Sequence, residues 1–477
     1  MNRLLFSMSL VAIFSVCVEA MAAEESVKSF RAGAFAVNIT PTKLPVIVNG
    51  GFLPRTIDNV LDPLHARCLV LDDGTERIAL VVVDSCVLPL SLVDETKRLI
   101  ESETKIKQDR IMISSTHCHS APSLMSTLGT PPDGDYVAWL PSKIVEGVAA
   151  AVKNLTPAKV GWAVGSDTKN IYCRRFLMKE GTATTNPFSG KKNDRAQMNP
   201  GHANPNKIAR TGPVDPSVSV LSVVSPDGKP IAVFANYSTH YAGVPGAVLS
   251  ADYFAVFAQR IKEKIAEKIG TENISDAFVG IMSNGTSGDA NCIDFLNPDR
   301  EFDYKSVGED TAQAAMDVWP NIQYFDWVPL GMVEKRVSIK NRVPTSEEVQ
   351  AAKAHIAALT NGQMKTGADV YAQSTVMMEN WPKTSEIPLQ AIRVGELGIT
   401  ALPGEIYGIT GLEIKARSPF VPTFNISLAN GYFGYIPPEE QHRLGGYNTW
   451  RTQTSCLEVD AEATIRQTVV DLLQELQ

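Results

Sequence analysis

Residues 110–122 read RIMISSTHCHSAP, an apolar run that passes directly into a polar segment containing two histidines. Ile111-Met112-Ile113 has the short apolar pattern of a buried strand. His117 and His119 then occupy positions i and i+2, which point to the same side of an extended backbone. The stretch therefore predicts a sheet strand that delivers two imidazoles to one side of its end.

Four further apolar strands end in the same way, with polar or acidic residues immediately beyond the apolar run. Those residues are Ser238-Thr239-His240, Ser283 to Asp289, Pro403-Gly404-Glu405 and Ala429 to Tyr435. In sheets that carry a ligand site, the chemistry gathers in the loops just beyond the strand ends. The five strand ends therefore predict one site built from distant parts of the chain.

Strands alternate with amphipathic helices through most of the chain. Turn residues indicate two hairpins, at Asp72-Asp73-Gly74 and at Pro226-Asp227-Gly228. The main helices are predicted at 91–104, 136–155, 251–269, 345–359 and 461–476. The fourth helix opens with Thr345 and Glu348, the spacing of a capping box. We expect an α/β (mixed α+β) fold of layered mixed β-sheets flanked by helices, without internal repeats.

The segment Lys179–Val214 interrupts this alternation, because it is rich in Gly, Pro, Asn and Lys. Stretches of this length without regular structure are uncommon inside compact domains and are often functional or disordered. Two interpretations follow from the composition. The segment is either a surface excursion near the site or a disordered insertion.

Composition excludes several classes of function. The 477 residues are 44% hydrophobic and 20% charged, as in ordinary globular proteins. The formal net charge of −8 argues against a nucleic-acid partner. The six cysteines beyond the N-terminal segment are scattered, which is compatible with one or two disulfides at most.

The N-terminus has the pattern of a secretory signal. Arg3 precedes an apolar stretch from Leu4 to Val18, and Ala20-Met21-Ala22 offers small residues for cleavage. No later segment is long and apolar enough to cross a bilayer. We therefore expect a signal peptide at residues 1–22 and a secreted or periplasmic protein without a transmembrane segment. The sequence does not indicate the oligomeric state.

The seven histidines fall into two groups, one of four and one of three, and the three that follow apolar strands are His117, His119 and His240. Four of them, interpreted as structural or solvent-facing, are His65, His202, His355 and His442. His117, His240 and Glu405 instead stand at strand ends, and two imidazoles with one carboxylate are a common catalytic zinc set that leaves one position open for water. The alternatives are a hydrogen-bonded pair of structural histidines and, for Glu405, an exposed turn residue.

These residues resemble the motifs of the neutral ceramidases. Thr116 to Pro122 looks like the motif Thr-His-x-His-Ser-Gly-Pro of that family, and Thr239-His240 looks like its second zinc histidine. Leu402 to Glu405 looks like the segment with its zinc carboxylate. Cys173-Arg174-Arg175 resembles the short motif that supplies an arginine, and leaves the choice between Arg174 and Arg175 open.

A late segment strengthens the resemblance. Gly434 to Glu440, followed by Gly446-Tyr447, resembles the family's Tyr-Val-x-x-x-Glu-Glu stretch. The step from Tyr435 to Tyr447 matches the step between its two active-site tyrosines. The motifs keep the family order, and the resemblance implies a ceramidase-like catalytic domain over residues 30–477.

The resemblance implies a zinc-dependent hydrolase that cleaves an N-acyl amide, converting ceramide to a sphingoid base and a fatty acid with zinc-activated water. The implied Zn²⁺ ligands are His117, His240, Glu405 and Tyr435. The residues implied to orient substrate or stabilise the oxyanion are His119, Arg174 and Tyr447. The central glycine loop adds Asp289 and Asn291 as catalytic candidates, and Asn284 and Ser287 as substrate-binding candidates.

Two departures from the family pattern keep other functions open. Asn291 stands where the ceramidases carry a serine, and the chain stops before the C-terminal immunoglobulin-like domain that is expected in the family. A zinc hydrolase of a non-lipid amide or ester is therefore the main alternative. A catalytically silent binding protein on an inherited enzyme fold is the other.

Overall fold

The structure is a computed structural model that describes residues 28–297 and 300–477. The predicted signal peptide, residues 1–22, lies outside the described residues. The strands, in chain order, are β1 (Arg31–Asn38), β2 (Val46–Val48), β3 (Arg55–Ile57), β4 (His65–Asp72), β5 (Arg77–Val83), β6 (Ile111–Ser115), β7 (Thr156–Pro157), β8 (Lys159–Ser166), β9 (Tyr172–Cys173), β10 (Arg175–Met178), β11 (Ala196–Met198), β12 (Lys207–Arg210), β13 (Ser217–Val224), β14 (Pro230–Tyr237), β15 (Val279–Asn284), β16 (Ala290–Asn291), β17 (Leu330–Lys340), β18 (Thr384–Val394), β19 (Leu397–Ala401), β20 (Glu405–Ile406), β21 (Thr423–Ile426) and β22 (Tyr435–Ile436). The α-helices are α1 (Leu90–Thr104), α2 (Gly134–Lys153), α3 (Asp252–Ile269), α4 (Tyr304–Val318), α5 (Ser346–Ala357), α6 (Gly367–Met377), α7 (Gly408–Arg417), α8 (Glu439–Leu444) and α9 (Ala461–Glu475).

Three sheets repeat one topology. Their strand orders are β6-β5-β4-β1, extended at one edge by the short β7, then β15-β14-β13-β8 and β21-β19-β18-β17. In each sheet the first pair in this order is parallel and the next two pairs are antiparallel. The parallel pair is bridged by one helix, α1, α3 or α7. The expectation that the chain has no internal repeat is therefore wrong at the level of structure.

In each of the three sheets, the strand listed second (β5, β14 or β19) is buried, because both of its faces are covered. The run RIALVVV of β5 is buried beyond its first residue, and every residue of β14 and β19 is buried. Strands covered on both faces read as nearly continuous apolar runs. One face of each sheet contributes to a shared core that includes Leu80, Phe234 and Ile399. The three sheets therefore surround one hydrophobic centre.

The opposite face of each sheet is covered by a pair of helices. Leu92 of α1 and Leu140 of α2 pack on the first sheet. Phe257 of α3 and Val307 of α4 pack on the second, and α7 and α9 cover the third. The layered mixed α/β architecture expected from the sequence is confirmed.

Local turn and cap chemistry accounts for several element boundaries. In the first hairpin, Asp72 Oδ1 accepts from Gly74 N at 2.8 Å, which closes the turn between β4 and β5. Thr345 and Glu348 form the predicted capping box at α5, with Glu348 Oε2 accepting from Thr345 N at 2.7 Å. The predicted helices and hairpins agree with the structure to within a few residues at each end.

The segment Lys179–Val214 carries more order than its composition suggests. Strands β11 and β12 pair on either side of β10 and form a small sheet. Met198, within this segment, packs against Tyr407 and Tyr435. The interpretation as an excursion near the site is confirmed, and the interpretation as a disordered insertion is wrong.

Two further expectations concern covalent links and the membrane. The six cysteines of the described residues are buried and unpaired, so the possible disulfides do not form among them. Within the described ranges, no helix has the length and apolar character that a bilayer span requires.

Candidate metal centre

The ends of the parallel strands meet at one edge of the shared core. Ser115 N donates to Leu428 O at 3.1 Å, and Ser427 N donates to Asn284 O at 3.0 Å. These contacts join the ends of β6, β15 and β21. The polar segments that follow strands of all three sheets are thereby brought to one place, as the five strand ends predict.

His117 is held in an unusual backbone conformation just beyond β6. Its φ is +69°, in the left-handed region that side chains with a Cβ rarely adopt. Its backbone N–H donates to Ser85 O at 2.8 Å, and Nδ1 lies 2.7 Å from Cys86 O. If Nδ1 carries the proton and donates to that carbonyl, Nε2 is left as the free nitrogen that faces the site.

Three potential ligands converge on one point. His117 Nε2 lies 3.1 Å from His240 Nε2, and Glu405 Oε2 lies 3.6 Å from the first and 3.9 Å from the second. All three residues are buried. A group of ligand atoms from these residues lies within 4.8 Å of one another, close enough to hold one metal ion.

The hydrogen bonds of the Glu405 carboxylate indicate whether a cation fits among these three residues. Its Oε1 accepts from the Tyr432 hydroxyl at 2.8 Å, whereas its buried Oε2 has no hydrogen-bond partner among the described residues. An unpaired buried carboxylate oxygen is costly unless something compensates it. Two imidazoles and one carboxylate are the donor types that zinc takes. The residues present therefore fit a divalent metal.

The charged side chains of this cluster shift one another's pKa values. Burial lowers the pKa of His117, but the charges of Cys86 and Glu405 outweigh burial and raise it to about 10. Burial opposes ionisation of Glu405, yet the charge of His117 lowers the pKa of that carboxyl. Burial and the Arg174 charge together lower the pKa of His240 well below its ordinary value. A bound metal would displace the proton of His117, because only a neutral imidazole ligates.

A cavity of about 220 Å³ opens above the three ligands. Arg174, Tyr435 and Tyr447 line it opposite His119. Arg174 Nη2 lies 3.3 Å from the Tyr435 hydroxyl, which lies 3.3 Å from the Tyr447 hydroxyl. This central cavity therefore holds a cationic donor and two phenols beside the group that could hold a metal.

His119 is another residue of the cavity wall. Its Nε2 lies 3.3 Å from His117 Nε2, and its ring stacks on Tyr241 with centroids 3.8 Å apart. Gly50 lies against the ring in a left-handed conformation with φ +101°, where a Cβ would lie 2.5 Å from His119 Cγ. Only glycine allows the loop at 50–53 to approach the histidine so closely.

The structure separates the two neighbouring arginines. Arg174 faces the central cavity, and its Nε has no partner among the described residues. Arg175 points the other way and donates to Gln441 Oε1, Gln441 O, Asn448 Oδ1 and Gly445 O at 2.7 to 2.9 Å. The choice left open by the sequence is thus resolved by position, with Arg174 as the residue at the site.

Four other candidates lie behind the cavity and are not among its lining residues. Asn284 Nδ2 donates to Thr116 O at 3.2 Å, and Ser287 O lies 3.2 Å from His240 Nδ1. Asp289 O accepts from Arg174 N at 2.8 Å. Asn291 folds back on its own loop, where Oδ1 accepts from Ile293 N at 3.0 Å. The first three support segments that carry site residues, and the catalytic and substrate-binding roles of all four stay predictions.

Sequence reasoning missed three residues of the site. Tyr432 hydrogen-bonds the proposed ligand Glu405, Tyr241 stacks on His119, and Cys86 lines the cavity with Sγ 3.8 Å from His117 Nδ1. A signal for Cys86 was present, because it follows the apolar strand β5 as His240 follows β14. Nothing in the sequence separates Tyr432 from neighbouring aromatic residues of its loop.

Comparisons with known proteins agree at the level of the fold. No protein-family model and no curated protein matches the sequence. A crystal structure of neutral ceramidase from Pseudomonas aeruginosa aligns with 94% of this chain and 74% of its own, with a TM-score of 0.69 and 16% identity. A ceramidase complexed with C2 aligns with 94% of this chain and 75% of its own, at a TM-score of 0.69 and 14% identity. The chain therefore has the mixed α/β fold of the neutral ceramidases.

Proposed function

We propose that the protein is a zinc-dependent hydrolase of an N-acyl amide bond. The observation that carries the proposal is the buried, unpaired Oε2 of Glu405, which faces Nε2 of His117 and of His240 beneath an open cavity. Most buried polar atoms of a purely structural cluster have a hydrogen-bond partner. The ceramidase fold makes an amide the first substrate class to test.

The proposed ligands are His117, His240 and Glu405, with Tyr435 as a fourth. Zinc in such a site acts as a Lewis acid and lowers the pKa of coordinated water. The Tyr432 hydroxyl would fix the orientation of the Glu405 carboxylate, and the Ser287 carbonyl would do the same for the His240 ring. Contacts of this kind orient metal ligands and tune their basicity.

The remaining cavity residues bind and orient the amide. Arg174 would donate from Nη2 to the carbonyl oxygen as negative charge develops there, and the Tyr447 hydroxyl lies close enough to add a second donor. The neutral ring of His119 would orient the amide through a hydrogen bond, because burial and then the charges of His117 and Arg174 lower its pKa well below the ordinary value. Water adds to the carbonyl carbon and forms the new C–O bond, the bond between carbonyl carbon and nitrogen breaks, and one proton of the water passes to the departing nitrogen. The products are a carboxylic acid and an amine.

The test combines metal content with turnover. Purified protein is assayed for bound zinc and for fatty-acid release from a fluorescent N-acylsphingosine and from a water-soluble N-acyl amide, before and after chelation. We expect about one zinc per chain and turnover that chelation abolishes and added zinc restores. His117→Ala and His240→Ala should each lose both zinc and activity.

His202→Ala is the matched control, because this histidine lies outside the central cavity against Phe295. It should keep the zinc content and rate of the parent protein. Zinc-free protein with full turnover, or full activity in either ligand variant, would rule out the proposal.

A second candidate is a zinc hydrolase of a compact, non-lipid amide or ester. The small volume of the central cavity, about 220 Å³, favours it, as does the engagement of Asn291 within its own loop. Turnover of the water-soluble amide without turnover of N-acylsphingosine would identify this activity. Export to the periplasm or medium also stays a proposal, tested by the N-terminal sequence of the protein recovered outside the cytoplasm.

A further inference from the structure

A second cavity of about 510 Å³ adjoins the central cavity. The two share Phe52, Asn199 and Tyr447 as wall residues. The second cavity is also lined by Tyr371 of α6 and by Trp450. We call it the aromatic pocket, after the rings of Phe52, Tyr371, Tyr447 and Trp450.

The rings form one connected wall. Tyr371 lies 6.2 Å from Phe52 and 5.3 Å from Trp450 between ring centroids, and Phe52 lies 6.3 Å from Tyr447. Edge-to-face and tilted arrangements at these distances are the favourable ones for aromatic pairs. The wall is therefore a packed surface with a defined shape.

The polar atoms of two of these rings are engaged away from the pocket. Trp450 Nε1 donates to the buried Asp194 at 2.7 Å, and the Tyr447 hydroxyl pairs with that of Tyr435. Met198 and Ala368 add apolar surface on the other sides. What the pocket offers a ligand is therefore mainly the faces and edges of apolar groups.

We propose that the aromatic pocket binds a compact apolar substituent of the amide whose carbonyl lies in the central cavity. This inference rests on the proposed function for the identity of the reacting group. Because the two cavities share the wall residues Phe52, Asn199 and Tyr447, an amide in the central cavity lies next to the pocket. The volume of the pocket lies within the range of small-molecule sites, roughly 300–1,000 Å³, and its ring-lined walls suit a benzyl or hexyl group.

Two series of amides identify the group and the side of the bond that enters. The acyl side is varied in N-methylacetamide, N-methylhexanamide, N-methylphenylacetamide and N-methylpalmitamide. The amine side is varied in N-hexylacetamide, N-benzylacetamide and N-hexadecylacetamide. In the series whose varied group enters the pocket, kcat/KM should rise about fourfold for each buried methylene. It should reach its maximum at the hexyl or benzyl member. The substrate with the longest chain should have no higher kcat/KM than that member.

Ala368→Trp is the variant that fills the pocket. Ala368 is exposed and lies in the first turn of α6, so a larger side chain enters the pocket without disturbing the core. We expect Ala368→Trp to lower kcat/KM for the hexyl or benzyl substrate by about tenfold or more. N-methylacetamide carries no group that fills the pocket, so its kcat/KM should fall much less than that of the hexyl or benzyl substrate. Ala354→Trp, at an exposed site on α5 outside the pocket, is the matched control and should behave as the parent.

Binding separates this inference from the proposed function. Calorimetric titration of the chelated, metal-free protein with the best amide of each series requires no turnover. Tight binding that Ala368→Trp abolishes supports the pocket even if no amide is hydrolysed, in which case only the proposed function fails. Equal binding by Ala368→Trp and the parent, or a rise in kcat/KM that continues to the longest chain in both proteins, would overturn the inference.

Discussion

Arg174 and Arg175 are adjacent in the chain, are both buried, and sit in opposite environments. The guanidinium of Arg175 donates four hydrogen bonds to the segment 441–448. Arg174 donates from Nη2 to Gly288 O at 3.0 Å, but its Nε has no hydrogen-bond partner among the described residues, and neither has Glu405 Oε2, which lies 4.0 Å from Nη2. A satisfied buried network stabilises a fold, whereas a buried group left unpaired beside a cavity points to a ligand. We call the residues around Arg175 the supporting region, and the residues around Arg174 and Glu405 the reacting region.

Glu405→Gln, in the reacting region, should have the largest effect on zinc binding and activity. Zinc content should fall, and kcat/KM on the best amide should drop by about 10³-fold or more, because the carboxylate ligand is lost. The free energy of unfolding of metal-free protein should also fall, because the folded state favours the charged carboxylate, as its lowered pKa indicates, and His117 and Arg174 lose their counter-charge. Metal analysis, kinetics and urea unfolding check this. A large loss of stability with normal zinc would place Glu405 in the supporting region.

Arg175→Met should break the supporting region instead. The substitution leaves the oxygens of Gln441, Gly445 and Asn448 without their donor, and we expect a loss of about 3 kcal/mol in the free energy of unfolding. Zinc content of the folded protein should stay normal. Chemical denaturation measures the loss, and an unchanged midpoint would contradict the assignment of Arg175 to support.

Asp194→Asn should have a smaller effect of the same kind. Asp194 Oδ2 accepts from Gly446 N at 3.0 Å and from Trp450 Nε1 at 2.7 Å, and asparagine keeps the shape but not the charge. We expect a loss of about 1 kcal/mol in the free energy of unfolding. Asp135→Asn, at an exposed position, should cost nothing measurable. Equal melting temperatures for the two variants would argue against the role of Asp194.

His442 offers the smallest test, through pH. Burial first, and then the charges of Arg342 and Arg175, lower its pKa to about 4. The unfolded chain takes up a proton below about pH 6.5 while the folded chain does not, so stability falls as the pH drops from about 6.5 to about 4. His442→Gln should reduce that fall by about 1 kcal/mol or less, given the partial exposure of the side chain. Identical pH profiles would show that the histidine does not titrate in this way.

The sequence predicted which residues stand at the strand ends better than it predicted the long-range contacts of the residues that support them. Apolar runs and Asp-Asp-Gly turns act locally, so β4, β5 and their hairpin could be read directly. The partners of Arg174 and Arg175 depend on chain segments more than 250 residues away, such as Tyr435 and Gln441. No local pattern reports such contacts.

Helix α7 shows why other elements escaped prediction. Its sequence GITGLEIKAR contains Gly408 and Gly411, which disfavour helix. A Cβ at Gly411 would lie 2.2 Å from Thr286 Oγ1, so close packing rather than propensity sets this helix. The repeated sheet topology was hidden for a related reason, because long unlike insertions such as Lys179–Val214 separate equivalent strands.

The repeated topology also bears on what holds such a centre together. His117, His240 and Glu405 follow strands of the first, second and third sheets, one from each, and Cys86 follows β5 by three residues as His240 follows β14. The distances among the three ligand atoms are therefore set by how the sheets pack on their shared core, and not within any one sheet. Densely packed interiors transmit strain, so a cavity opened in that core by a large-to-small substitution would displace one ligand relative to the other two.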